Sequence, residues 1–309
     1  MDTGTHIITG IAIGVVGQSI LKIPNEWTIY LTAIISSIIP DADVLFKIKS
    51  NNLYVLNHRG LSHTIVLLPL LALISPLLCL PFNDSFFQLF VISLISIAIH
   101  LFLDVLNPYG TKLMPKKRDY QLNVIYTFDP IFFSILVIGT IISFFHIYII
   151  ILEIFAFILY FVLRVVKKNK IINSLRNQYP ESKKIFALSK ADPLKWHIII
   201  EFDDSYIVGI YYKKLIEIDK IPKSPIPGVY FSSLITNKTY QAFIRKSIAH
   251  IFQKTDDGFM LYDLKYRKKG FYYFRAYFTI KDNKITNSYL GWVFKEEKFI
   301  EKLKKENVK

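Results

Sequence analysis

Cysteine is almost absent: the 309-residue chain has one, Cys79, inside an apolar run. A single thiol excludes an internal disulfide and any cysteine-based zinc motif. The start, Met1-Asp2-Thr3-Gly4-Thr5-His6, has no basic region and does not read as a cleaved signal peptide. Neither an internal repeat nor a nucleophile-elbow motif is present, which argues against a Ser-His-Asp enzyme. Net charge is missing from one half: residues 1–166 hold nine basic and nine acidic residues. The formal +14 therefore belongs entirely to residues 167–309. What is abundant is apolar: 52% hydrophobic, 15% aromatic, mean hydropathy +0.35. That composition excludes disorder and favours a membrane.

Residues 64–81 and 86–106 are each long enough to cross a hydrocarbon core of about 30 Å. Residues 131–164 would make one helix of about 51 Å at about 1.5 Å per residue. They read better as two, 131–145 and 147–166, turning near His146. Segments 7–21 and 27–40 are short, either tilted spans or a hairpin. Gly10-x-x-x-Gly14 in the first permits close helix packing. With six spans, one side carries Lys47, Lys49, Arg59, Lys112, Lys116, Lys117, Arg118, Lys167, Lys168 and Lys170, and the other only Lys22. The positive-inside rule makes the first side, with both ends of the chain, cytoplasmic.

Beyond a basic helical linker at 167–190, residues 191–309 predict a small α+β domain, mostly antiparallel. Runs 196–202 and 206–212 flank Asp203-Asp204-Ser205 as a hairpin. Residues 237–251 have helical spacing, and three strand-like runs follow at 259–266, 271–281 and 285–294, punctuated by turns such as Asp282-Asn283. His197 and Glu201 fall on the polar face of their strand, opposite Trp196, Ile198 and Ile200, and read as solvated. The fold class is thus an all-α polytopic membrane bundle of about six helices followed by this domain.

Ionisable groups collect at one end of the apolar half. His6, His58, His63 and His100 lie near its cytoplasmic boundary, as do Asp41, Asp43, Asp104 and Asp129. Polar groups at membrane depth are costly and need a shared reason. His100-x-x-x-Asp104 places an imidazole and a carboxylate on one helix face, one turn apart. The pair suits a metal ion, or one group orienting the other. Pro40-Asp41-Ala42-Asp43 offers two carboxylates to a divalent cation. In Asn57-His58-Arg59-Gly60-Leu61-Ser62-His63, Arg59 could hold an anion through its planar fork, and Ser62 could cap a helix. Asp129-Pro130 could simply start a helix. Glu153 lies within the last span and reads as a neutral acid packed between helices. Four His, four Asp, no Cys and an Arg form the donor set of a Zn- or Mn-type hydrolytic centre.

In this order, Asp2-Thr3-Gly4-Thr5-His6…Gly10, Pro40-Asp41-x-Asp43, His58-Arg59-Gly60-x-Ser62-His63 and His100-x-x-x-Asp104…Gly110 resemble the membrane-bound metal-dependent hydrolase family of the YdjM type. Pro193-Leu194-Lys195-Trp196 and Gly291-Trp292 add a resemblance to its longer, YfhP-type members. His6, Asp41, His63, His100 and Asp104 also match by order a more distant family, the zinc-dependent phospholipases C. The resemblance implies a hydrolase working on a phosphoester, plausibly lipid-linked. His6, Asp41, Asp43, His63, His100 and Asp104 are the expected ligands of a divalent metal, zinc before manganese. His58 or Asp129 is the expected acid/base, and Arg59 the expected holder of a substrate anion. A membrane-anchored scaffold with a structural metal site is the alternative. For the basic tail an anionic lipid surface is the expected partner, ahead of nucleic acid, because the linker starts at the membrane.

Overall fold

Asp2 begins the first helix, α1 (Thr3–Leu21), by accepting from the Thr5 amide at 3.1 Å, and Lys22 ends it in the left-handed region at φ 49°. The computed structural model describes residues 1–45, 54–55, 58–82, 85–115, 119–224, 226–281 and 284–295. Lys47, Lys49, Asn57, Lys116, Lys117, Arg118, Asp282 and Asn283, used above for orientation, motif or turns, lie outside these residues. Further apolar helices are α2 (Glu26–Ile38), α3 (Leu68–Ala72), α4 (Ile74–Cys79), α5 (Phe86–Leu106), α6 (Pro130–Ser143) and α7 (Ile149–Gln178). Among the described residues, five helical segments are long and apolar enough to cross a membrane: Thr3–Leu21, Glu26–Leu45, Ile65–Phe82, Phe86–Leu106 and Ile149–Gln178. Pro130–Ser143 is apolar but shorter.

The long apolar run does divide, with His146 exposed between α6 and α7. Residues 167–178 continue α7 without a break, and Lys184–Ser189 is a strand, where a helical linker over 167–190 was expected. The third span is fragmented because Pro69, Pro76 and Pro81 lack the amide that a continuous helix needs.

Small residues let α1 and α2 approach closely. A Cβ on Gly10 would come within 2.9 Å of both the Ala33 carbonyl oxygen and Ile34 Cα. Buried hydroxyls link the helices elsewhere: Ser36 Oγ is 2.5 Å from Ser75 Oγ and 2.7 Å from Ser93 Oγ. Such contacts supply the adhesion that the hydrophobic effect cannot provide inside lipid. Glu153 packs on Gly139, where a Cβ would lie 2.5 Å from the carboxylate.

The chain divides into two compact units: 1–43 with 59–173 and 187–196, and 44–58 with 174–186 and 197–309. Among the described residues, the C-terminal part has two four-stranded sheets. One has the order β1-β2-β3-β4, built from β1 (Lys184–Ser189), β2 (Trp196–Glu201), β3 (Ser205–Tyr212) and β4 (Lys214–Pro222). The other has the order β10-β9-β6-β5, and its described pairings are antiparallel. It comprises β5 (His250–Thr255), β6 (Gly258–Asp263), β9 (Phe274–Lys281) and β10 (Lys284–Trp292); β7 (Arg267–Lys268) and β8 (Phe271–Tyr272) pair separately. Phe243, Phe252, Phe259, Phe274, Phe278 and Leu290 form the core of this second sheet.

Two short helices, α8 (Phe231–Thr236) and α9 (Lys238–Lys246), precede β5. The helix expected over 237–251 stops early, since Ser247 turns extended (φ −85°, ψ 134°) and His250 opens a strand. Strand β2 is buried on both faces, which corrects the solvated reading of His197. Its Nε2 lies 2.9 Å from the Leu264 carbonyl oxygen, in the domain interior. Glu201 is half-buried and receives a hydrogen bond from Lys223 at 2.9 Å.

Asp263, at the end of β6, is fully buried and accepts from the Lys265 amide at 2.7 Å. Burial pushes its carboxyl up to about 7, although Lys265 pulls the other way. The native state therefore resists ionising a group that ionises near pH 4 when unfolded. This costs stability as pH rises from about 4 to about 7, and the cost is constant above that. Asp263→Asn is expected to raise the unfolding temperature at pH 8 by a few degrees, with a gain that shrinks towards pH 4. Thermal scans of the full chain in detergent check this; a gain that grows on acidification would contradict it.

Candidate metal centre

Three local breaks in regular structure bring the donors together. Pro40 cannot extend the α2 hydrogen-bond ladder, and the chain tightens into a 3-10 turn over Ile39–Leu45 that carries Asp41 and Asp43. A second 3-10 turn, Leu61–His63, carries His63. Between them Arg59 takes φ 55°, which is strained for a non-glycine residue. Its amide donates to Asp43 Oδ2 at 2.7 Å, which holds that conformation. His100 and Asp104 come from the buried face of α5.

Asp41, His63, His100 and Asp104 each offer one ligand atom, and these four atoms lie within 4.8 Å of one another. His63 Nε2 lies 3.3 Å from Asp41 Oδ1 and 3.4 Å from Asp104 Oδ2. His100 Nε2 lies 3.9 Å and 3.7 Å from the same two oxygens, and 3.3 Å from His63 Nε2. The side chains of His63, His100 and Asp104 are wholly buried, whereas that of Asp41 is 22% exposed. Asp41 Oδ1 and Asp104 Oδ2 accept no hydrogen bond within the described residues.

The hydrogen-bond network sets the tautomers. His100 Nδ1 lies 2.7 Å from the Ser37 carbonyl oxygen, which can only accept, so Nδ1 carries the proton and Nε2 a lone pair. Ser62 donates to Asp43 Oδ2 at 3.2 Å and can then accept from His63 Nδ1 at 3.0 Å. That directs the His63 Nε2 lone pair inward as well. Two imidazole lone pairs and two carboxylate oxygens so disposed repel one another unless a cation or a proton lies among them. The residues fit a divalent metal of the borderline class. Burial opposes charge on the His63 ring, yet the Asp104 and Asp41 carboxylates carry its pKa above the ordinary value. A proton would thus compete with a metal here, so that metal affinity would weaken on acidification.

Around the four donors stand residues that hold them. Arg59 is buried; its Nη2 donates to Asp104 Oδ1 at 3.0 Å, and its Nη1 to Asn107 Oδ1 and the Gly110 carbonyl oxygen, each at 3.1 Å. The guanidinium expected to face a substrate anion is engaged with these protein groups. Asp43 lies 3.8 Å from His63 Nδ1 and holds Arg59 and Ser62. Ser62 serves this network and caps no helix. His6 stacks on His100 with centroids 3.8 Å apart, its Nε2 3.5 Å from Asp104 Oδ1. Asp129 caps α6 by accepting from the Ile131 and Phe132 amides at 3.1 Å, and it also accepts from the Tyr160 hydroxyl at 2.7 Å. His58 belongs to the other unit, where its ring lies against Tyr54 at 4.7 Å.

Asn107, the Met1 amino group and the Ser37 carbonyl were missed by sequence reasoning. Asn107 Nδ2 donates to Asp104 Oδ1 at 3.2 Å, and the Met1 amino group pairs with that same oxygen. The spacing Asp104-x-x-Asn107, followed by Pro108 and Gly110, was the available signal. Asn107 Oδ1 also accepts from the Gly110 amide at 3.1 Å, and Gly110 has φ +69°. A backbone carbonyl such as that of Ser37 leaves no mark in a sequence.

Residues 1–171 match the YdjM inner membrane protein family, and residues 231–303 match the YfhP C-terminal alpha/beta plait domain. The chain is 28% identical to the uncharacterized protein YfhP of Bacillus subtilis (strain 168), with 98% of this chain and 99% of that protein covered. No solved structure matches it. The chain belongs to the YdjM inner membrane protein family, in a YfhP-like form, and is a multi-pass membrane protein.

Proposed function

We propose that this YdjM-family membrane protein is a metal-dependent hydrolase of a phosphoester, lipid-linked, with its site at the cytoplasmic face. The observation that carries the reading is the convergence of Asp41, His63, His100 and Asp104. When bound, a divalent ion supplies Lewis acidity and acidifies water near neutral pH. Ser37 holds the His100 ring, and Ser62 with Asp43 holds that of His63. Arg59 and Asn107 fix Asp104 Oδ1, which leaves Oδ2 for the ion. Asp41, the least buried of the four side chains, supports approach of a substrate from its side. The basic residues of the loops on that side support cytoplasmic placement, and the position of the donors at the ends of apolar helices supports a headgroup-level substrate.

Four protein donors favour a second reading. Structural zinc sites are closed by four protein ligands, whereas catalytic ones keep a position open. The centre would then brace a non-enzymatic scaffold, unless Asp41 yields its place to substrate.

Elemental analysis of detergent-purified protein is expected to find stoichiometric zinc or manganese, reduced at least about tenfold in His63→Ala and His100→Ala. Unchanged metal content in both variants would remove the ligand assignment. Phosphoester hydrolysis that is present in wild type and lost in Asp43→Asn supports the enzyme; metal without hydrolysis supports the scaffold.

A further inference from the structure

The basic domain carries an apolar segment that its own core does not cover. Of the exposed large hydrophobic residues described after residue 186, Val229, Phe231 and Ile235 fall within seven positions, at 55%, 52% and 50% exposure. The local fold explains why they point outward. Tyr230 stacks on Phe259 with centroids 5.7 Å apart, and Leu234 is completely buried. These two side chains pin the 3-10 turn Gly228–Tyr230 and helix α8 to the sheet. Phe231 and Ile235, four apart on α8, are left on the opposite side.

The charge along the chain favours one occupant. Residues 220–255, between Asp219 and Asp256, contain Lys220, Lys223, Lys238, Arg245, Lys246 and Lys254, and no Asp or Glu; Lys223 pairs with Glu201, and Lys238 is exposed next to the apolar residues. A protein-binding patch is ordinarily rimmed by both signs of charge. An interfacial membrane segment combines an apolar tip with basic residues and lacks acidic ones. Three outward apolar side chains are too few to hold a soluble protein on a membrane. Here the chain is already anchored by its own spans, so the segment need only win against solvent at high local concentration.

We propose that Val229, Phe231 and Ile235 form an interfacial anchor that inserts into an anionic lipid surface, with Lys238 beside them meeting the headgroups. The role is independent of any metal and of any hydrolytic activity.

The test uses the full chain in lipid nanodiscs. The buried Cys79 is replaced by serine, and an environment-sensitive dye is placed on Val229→Cys, or on Lys281→Cys as a control. In discs containing phosphatidylglycerol, the Val229 dye is expected to shift to the blue and to be quenched by brominated lipid at least about threefold more than in phosphatidylcholine discs. The control is expected to respond in neither. Lys238→Gln should weaken the anionic preference about fivefold, the factor given by ~1 kcal/mol per basic residue near an anionic surface. Phe231→Ser with Ile235→Ser should abolish the quenching while circular dichroism stays unchanged. Equal dye exposure in both lipids overturns the proposal. So does a blue shift that needs a second chain in the disc, which indicates dimerisation, or added duplex DNA, which indicates nucleic-acid binding.

Discussion

Asp104→Ala is expected to empty the metal centre and to destabilise the membrane unit by about 3–5 kcal/mol. The two effects come from the two oxygens. Oδ2 faces His63 and His100 at 3.4 and 3.7 Å and would be the donor to an ion. Oδ1 neutralises the buried Arg59 at 3.0 Å and accepts from Asn107. Removing one partner of a buried ion pair strands the other charge, which is the costly way to break such a pair. Asp104→Asn separates the effects. Its amide keeps the shape and one acceptor for Arg59, so the stability loss falls to about 1–3 kcal/mol while the ion is still lost. Unfolding in detergent with and without zinc reads both. Wild type should gain stability with zinc, because an ion that binds only the folded state favours it. Neither variant should gain. A zinc-dependent shift preserved in Asp104→Ala would contradict the assignment.

Gly10→Leu is expected to cost about 3 kcal/mol or more and to lower metal occupancy, although residue 10 touches no ligand. A Cβ there meets two backbone atoms of α2 at 2.9 Å and Ser37 Oγ at 2.7 Å. Backbone cannot rotate away, so α1 and α2 must separate. The Ser37 carbonyl that orients His100 moves with α2. Gly10→Ala should show a smaller loss in both readouts. Gly228→Ala, with no atom within 4 Å of the added Cβ, should show none. Wild-type stability in Gly10→Leu would mean that α1 and α2 do not pack as described.

Much of this arrangement was legible in the sequence because it rests on spacing. His100 and Asp104 lie one helical turn apart, and nothing but a shared face was needed to pair them. Apolar runs and breakers located the apolar helices and the division near His146, although Pro130–Ser143 is shorter than the span expected there. Strand β2 was misjudged on one face because alternation reports a half-buried strand, and this one is covered on both sides. Helix α9 was drawn too long because Ile248 and Ile251 satisfy helical spacing and strand propensity equally well. Long-range roles were the hardest to read. Nothing local says that Arg59 reaches Asn107, 48 positions away, rather than a ligand. His6 shows the same limit, since its stacking on His100 depends on how α1 meets α5.

Asp41 differs from the other three donors in one respect: its side chain is partly exposed, although its Oδ1 is buried. An ion entering or leaving the centre would pass the partly exposed Asp41 carboxylate before or after the three buried side chains. All four donors would set how tightly an ion is held, and Asp41 would be the donor at which exchange begins.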